Sequence, residues 1–65
     1  MNTNLFKAKL VEKGMNIENL AAKIGLSSQT VYNKLKNDSF KMSEVRKIGD
    51  VLNLSSVELS NIFFA

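Results

Sequence analysis

Residues 20–27 read LAAKIGLS, and this stretch decides the fold because it joins two short helices through a three-residue turn that begins at Gly25. A glycine at the head of the turn can adopt positive φ without a steric penalty from a Cβ atom. Ala21 is small enough for the two helices to approach each other, and Leu26 fills the gap between them. Ser27 can cap the second helix by accepting a backbone hydrogen bond. The pattern predicts a helix-turn-helix, although a plain helical hairpin can show the same glycine and leucine.

The length and composition predict one soluble domain without catalytic chemistry. The chain has 65 residues, 45% apolar and 23% charged, which is ordinary for a small globular domain. It contains no cysteine and no histidine, which excludes disulfides, zinc fingers, iron–sulfur ligation and thiol- or imidazole-based catalysis. The carboxylates are scattered, and no glycine-rich phosphate loop is present. We therefore expect no enzyme activity, cofactor, metal site or small-molecule ligand.

The sequence also predicts a cytoplasmic protein. No apolar run approaches the roughly 18 residues that a membrane span requires. The N-terminus lacks the basic and then apolar layout of a signal peptide. We therefore expect neither membrane insertion nor secretion.

The absence of proline and the presence of only three glycines favour an all-α fold, and capping signals divide it into five helices. Thr3 or Asn4 is expected to open a first helix over about residues 4–13, which Gly14 ends. The fold class is therefore a compact five-helix domain that fills residues 1–65. On the first helix we expect an apolar stripe at Leu5, Phe6, Leu10 and Val11.

Three later helices are predicted to begin with one shared signal, in which an apolar residue precedes the N-cap and another follows four residues after it. They start near residues 17, 28 and 56, and their N-caps are Asn16, Ser27 and Ser55. Glu58 completes a capping box with Ser55. The remaining helix, fourth in the chain, has a less distinct start at Ser43 and ends at Asn53. Its buried stripe is predicted at Val45, Ile48, Gly49 and Leu52.

Basic residues are concentrated in the first two-thirds of the chain. Residues 1–41 contain seven lysines and three carboxylates, a balance of +4, whereas residues 42–65 contain two basic and three acidic residues, a balance of −1. The whole chain therefore carries +3. This asymmetry favours a polyanionic partner but does not identify one, because many unrelated small domains are equally basic.

From Gly14 to Phe63 the chain resembles the Xre family of phage and bacterial transcription regulators, the Cro and lambda-repressor-like helix-turn-helix proteins. The resemblance is carried by GMNIENLAAKIGLSSQTVYNKLKN at residues 14–37 and MSEVRKIGDVLNLSSVELSNIF at residues 42–63. It is similar above all to phage-encoded members. The resemblance implies a four- or five-helix, lambda-repressor-like fold whose helix-turn-helix lies at about residues 17–36. It also implies a sequence-specific regulator that binds a double-stranded DNA operator.

The chain departs from the usual pattern of this family at two places. Ile17 stands where many members have Gln or another polar residue that contacts a DNA phosphate, so only its backbone amide can serve there. The recognition helix is followed by Lys36, Asn37 and Asp38, without the Glu-Asn-Gly and proline of many members. These differences affect individual phosphate contacts rather than the fold.

Helical geometry selects the residues of the third helix, residues 28–36, that would read DNA bases. At about 100° per residue, Val31 and Leu35 define the buried stripe, and Gln29 and Asn33 lie on the opposite side. One Gln or Asn amide can form hydrogen bonds to N6 and N7 of the same adenine. A Ser hydroxyl can form hydrogen bonds to several bases, and a Thr methyl can touch a thymine methyl. The alternative for the two amides is a solvated helix surface. The predicted base-reading residues, which favour sites with A·T pairs, are Ser28, Gln29, Thr30 and Asn33.

Residues around the recognition helix are predicted to contact the phosphate backbone. Three lysines flank this helix and the loop after it, whereas Lys7, Lys9, Lys13 and Lys23 are interpreted as solubilising charge. The ring of Tyr32 can cover the edge of the core while its hydroxyl bonds a phosphate, and the sequence does not decide between these roles. The predicted phosphate contacts are Asn16, Ser27, Tyr32, Lys34, Lys36, Asn37 and Lys41.

The end of the sequence raises the possibility of a partner chain. Ile62, Phe63 and Phe64 are consecutive and point about 100° apart, so one small core does not bury all three. In one interpretation Phe63 closes the core against the first helix and Phe64 frays. In the other, the last helix forms a weak homodimer, strengthened on DNA, through Phe64, Leu59 and Val57. A different alternative for the whole chain is a helical protein-interaction module that does not bind DNA.

Overall fold

The computed structural model describes residues 1–64 and consists there of five α-helices without a strand. The helices are α1 (Thr3–Glu12), α2 (Ile17–Ile24), α3 (Ser28–Asn37), α4 (Met42–Leu52) and α5 (Ser56–Phe63). The prediction of an all-α fold with five helices is confirmed. Within residues 1–64, every helix is too short or too polar to cross a membrane.

The predicted N-caps of α2, α3 and α5 are confirmed. The Asn16 side chain accepts a hydrogen bond from the Asn19 amide at 2.8 Å, and Ser27 Oγ accepts one from the Thr30 amide at 3.1 Å. At α5, Ser55 and Glu58 form the predicted reciprocal capping box. These caps are local interactions, so the sequence alone was sufficient to locate them.

Two predicted helix starts are wrong. α1 is capped by Asn2 rather than by Thr3 or Asn4, because Asn2 Oδ1 accepts a hydrogen bond from the Leu5 amide at 3.0 Å. α4 begins after Lys41 rather than at Ser43. Lys41 has no side-chain acceptor, so the start is stabilised from inside the helix, where Glu44 accepts a hydrogen bond from the Lys41 amide at 2.8 Å.

Four of the helices end in the same way, with a left-handed residue followed by a backbone bond back into the last turn. The amides of Met15, Leu26, Ser39 and Leu54 each donate to a carbonyl five residues earlier. The left-handed residues are Gly14, Gly25, Asp38 and Asn53. The predicted ends of α1 and α4 are thereby confirmed, and α3 closes without the glycine that is usual at this position.

The core is formed by the inward stripes of all five helices, with α2 packed on α3 and α4, and α5 packed on α1 and α4. The rings of Phe6, Phe40 and Phe63 pack edge to face or tilted, with centroids 5.8–6.4 Å apart. Phe63 therefore closes the core against α1, as one interpretation predicted. The predicted stripe of α4 is confirmed, since its four members are buried: Val45, Ile48, Gly49 and Leu52.

One member of the predicted α1 stripe does not belong to the core. Val11 is 77% exposed, whereas Phe6 and Leu10 are buried and Leu5 is half-buried. Val11 follows Leu10 by one residue, which turns it about 100° away from the core. It lies instead at the rim of a shallow surface groove.

Candidate nucleic-acid interface

The turn between α2 and α3 has the geometry that its sequence predicts. Gly25 adopts φ 78° and ψ 27°, in the left-handed region. The amides of Gly25 and Leu26 both donate to the Ala21 carbonyl, which ends α2. Ala21 is buried and Leu26 is partly buried against the core, so both serve the roles proposed for them. The turn fixes the direction in which α3 leaves α2, against which it packs.

α3 presents two amide side chains on its exposed face. Val31 and Leu35 are buried, and Gln29 and Asn33 are exposed on the opposite side of the helix. The Gln29 Nε2 group donates a hydrogen bond to Asn33 Oδ1 at 3.1 Å. The two amides are therefore oriented together and still carry free donors and acceptors for a base edge.

The other two predicted base-reading residues lie beside the N-terminus of α3 and are half-buried. Ser28 follows the cap directly, and Thr30 shares a hydrogen bond with the cap through Ser27 Oγ and Thr30 Oγ1, 2.8 Å apart. Ser27 itself is exposed. The Ser27 and Thr30 hydroxyls bond to each other, and each can still exchange or add a partner because a hydroxyl has two acceptor lone pairs.

The lysines predicted to contact phosphate fall into two groups. Lys36 and Lys41 are exposed, and within residues 1–64 neither forms an ion pair. Lys34 is different, because its Nζ lies 3.2 Å from Glu44 Oε1 and 3.5 Å from the Ser39 carbonyl. Lys34 therefore ties α3 to the start of α4, an interaction that the sequence did not indicate.

Glu44 is the negative partner at this junction between α3 and α4. Its side chain is only 14% exposed. Desolvation by this burial raises the pKa of the Glu44 carboxyl, but hydrogen bonds from the Lys41 amide and the Lys34 ammonium outweigh it and hold the pKa below its ordinary value. The carboxylate is thus ionised at neutral pH and holds the Lys34 ammonium in place.

Asn16 and Tyr32 lie on the side of α3 that faces α1. Asn16 is exposed at the N-terminus of α2, where its side chain and that of Asn19 cap each other's backbone amides. Tyr32 is 48% exposed, so its ring covers one edge of the core while its hydroxyl remains accessible. Asn37 is exposed at the last position of α3. The structure therefore places the predicted phosphate contacts on both flanks of α3.

The structure separates the three residues predicted for a dimer contact. Val57 and Phe64 are 67% and 59% exposed; Val57 lies in the first turn of α5, and Phe64 is the residue that follows its last turn. Leu59 is half-buried and packs against the core. A Cβ atom built on Gly49 of α4 would lie 2.9 Å from Leu59 Cδ1, so the absence of a side chain at Gly49 makes room for Leu59.

Comparison with known families identifies the class of protein. The family model described as Cro/C1-type HTH DNA-binding domain matches residues 6–62, which is most of the chain. The chain therefore belongs to this family, and the resemblance noted in the sequence is confirmed. Comparisons with curated proteins and with solved structures found no match. The protein is accordingly a helix-turn-helix DNA-binding domain, with double-stranded DNA as its partner.

Proposed function

We propose that the protein is a sequence-specific transcriptional regulator, Cro-like or equivalent to the DNA-binding domain of a repressor, that inserts α3 into the major groove. The observation that carries this proposal is the joined amide pair of Gln29 and Asn33 on the exposed face of α3. A rigid helix with paired amides on its outer face suits the hydrogen-bonding edge of adenine in the major groove. The family match supports the choice of DNA as the ligand.

Base reading is assigned to four residues in the first turns of the recognition helix. Gln29 and Asn33 bond adenine through N6 and N7. Ser28 and Thr30, closer to the helix N-terminus, contact neighbouring bases through a hydroxyl and a methyl group. The proposed operator therefore contains A·T pairs in each half-site.

The phosphate backbone is held on both flanks of α3. Asn16 and Tyr32 lie on one flank, and Asn37 and Lys41 lie on the other. Ser27 contacts the DNA backbone at the N-terminus of α3. Lys36 lies between the flanks, beside the base-reading face. Lys34 joins these contacts only where a phosphate replaces Glu44 as its partner.

In this proposal the protein regulates transcription without catalysis and without a cofactor, in the cytoplasm of a bacterium or a phage-infected cell. It acts as a weak homodimer that DNA strengthens. Val57 and Phe64 form the two-fold contact, because both are exposed apolar side chains, one in the first turn of α5 and the other just after its end. Leu59 packs against α4 and is left out of the contact.

The decisive experiment is selection of bound duplexes from a random DNA pool, followed by binding titrations on the selected site. We expect enrichment of a site with A·T pairs in each half and a preference over random duplex of at least about a thousandfold. The alternative, a protein-interaction module, predicts no mobility shift on random duplex even at low salt. Absence of both enrichment and shift would contradict the proposed function.

A further inference from the structure

An open cleft of about 330 Å³ lies between α3 of the helix-turn-helix and α1, which is outside that motif. One wall is formed by Thr3 and Lys7 of α1, and the other by Tyr32, Leu35 and Lys36 of α3. The buried Leu35 side chain supplies an apolar surface, and the other four residues carry hydroxyl or ammonium groups. The cleft therefore combines hydrogen-bond donors and positive charge from two helices.

The two ammonium groups of this cleft are available to a ligand. Lys7 and Lys36 are exposed, and neither forms an ion pair within the described residues. Lys9 shows the opposite behaviour on the same helix, since its Nζ lies 2.7 Å from Glu58 and 3.0 Å from Glu12. Lys7 and Lys9 are two positions apart, so they point to different sides of α1. The pairing of Lys9 therefore leaves Lys7 as the free cation on the side of α1 that faces α3.

The chemistry of the cleft suits a phosphodiester. Ammonium and hydroxyl groups are the donors that proteins use most for backbone phosphates. An open cleft accommodates a passing strand, whereas a small ligand requires burial of most of its surface. Tyr32 and Lys36 are four positions apart and border the exposed face that carries Gln29 and Asn33. A DNA strand that follows this border of α3 reaches Lys7 next.

We propose that this cleft binds a phosphate of the DNA backbone and that Lys7 supplies a contact from α1. The inference rests on the proposed function, and it extends the interface beyond the helix-turn-helix and its following loop. The sequence pattern assigned Lys7 to solubilising charge, because nothing in it places α1 beside the recognition helix. Lys7 contributes affinity without base preference, since phosphate contacts are the same for every sequence.

The test compares Lys7→Ala with Lys47→Ala, which removes the same charge from an exposed position on α4. Binding is titrated across a salt series on the selected site and on random duplex, with circular dichroism to verify folding. For Lys7→Ala we expect lower affinity on both duplexes and a salt slope shallower by about 0.9, the value of one phosphate contact. Lys47→Ala should retain the wild-type slope.

A second measurement locates the contact on the DNA. Phosphates are neutralised one at a time by methylphosphonate substitution beside the half-site. Neutralisation of one particular phosphate should lower the affinity of the wild-type protein but leave the affinity of Lys7→Ala unchanged. If the salt slopes of Lys7→Ala and Lys47→Ala are equal and wild type is still selective for its site, the cleft does not bind a phosphate through Lys7. The proposed function would not be affected by this result. Failure of wild type to bind any duplex would instead overturn the proposed function itself.

Discussion

Gln29 and Asn33 share a hydrogen bond of 3.1 Å, so we expect their proposed contributions to base recognition to be coupled. Each amide orients the other, and removal of either one leaves its neighbour free to rotate. Gln29→Ala or Asn33→Ala should each weaken specific binding by about 1–3 kcal/mol, because each deletes a bidentate contact. The double variant should lose less than the sum of the two.

The measurement for this pair is fluorescence anisotropy with the selected site and a random duplex in parallel. Non-specific affinity should barely change in any of the three variants. Equal losses on both duplexes would contradict base reading by the amides. Additive losses on the selected site would contradict their coupling.

Lys34 and Lys36 are two residues apart but have different surroundings, and this difference predicts different effects. Lys36→Ala should lower affinity on every sequence and reduce the salt slope by about one unit, as should Lys41→Ala. Lys34→Ala should instead lower the free energy of unfolding by about 0.5–1 kcal/mol, because it removes the partner of Glu44. Urea unfolding and salt titration of the three variants separate these outcomes. If Lys34→Ala has unchanged stability and a reduced salt slope, Lys34 contacts a phosphate as the sequence predicted.

The starts of α2, α3 and α5 could be predicted from the sequence, because caps depend on residues within a few positions of each other. The cap of α3 at Ser27 is an example. The start of α4 is not predictable in this way, since Lys41 carries no capping oxygen and the stabilising bond comes from Glu44. The exposed face of α3 that carries Gln29 and Asn33 follows from periodicity alone. The ion pair of Lys34 and the proposed role of Lys7 depend on neighbouring helices, so they cannot be predicted from local sequence patterns.

An ion pair between Lys9 and Glu58 links α1 to α5 and makes the stability of that contact dependent on pH. The hydrogen bond from Lys9 and that from the Ser55 amide lower the pKa of the Glu58 carboxyl from 4.5 to about 2. The hydrogen bonds to Glu58 and Glu12 raise the pKa of the Lys9 ammonium above 10.5. Because the carboxyl pKa is lower in the folded than in the unfolded chain, the ionised carboxylate stabilises the folded state at pH values above the unfolded pKa. This contribution is lost as the pH falls through the folded pKa.

We therefore expect Glu58→Gln to be less stable than wild type at pH 7. The difference should shrink as the pH falls below 4.5 and vanish near 2. For Lys9 the sign is reversed, so its contribution is lost as the pH rises above 10.5. Urea unfolding at a series of pH values measures the difference, with Glu18→Gln as the control for loss of an exposed carboxylate. A pH-independent difference for Glu58→Gln would contradict the ion pair as its origin.

From the charge of the whole molecule we expect a monomer in solution, and the proposed homodimer to form only on DNA. Each chain carries +3, so two copies repel each other, most strongly at low salt. The large exposed apolar side chains of α5 and its C-cap are Val57 and Phe64, and two side chains cover far less than the surface of a stable dimer. In the proposed complex DNA offsets both effects, because it neutralises the lysines and holds two chains at high effective concentration.

Phe64→Ser should therefore abolish cooperative binding to a duplex with two half-sites about 34 Å apart while leaving binding to a single half-site unchanged. The serine removes the larger apolar side chain of the proposed contact without disturbing the core, since Phe64 is already 59% exposed. Val11→Ser is the matched control, because it removes an exposed apolar side chain from α1. Stoichiometry and Hill coefficient on duplexes with one and two half-sites are the measurements. If Phe64→Ser binds two half-sites as cooperatively as wild type and Val11→Ser, the two chains do not meet through this end of α5.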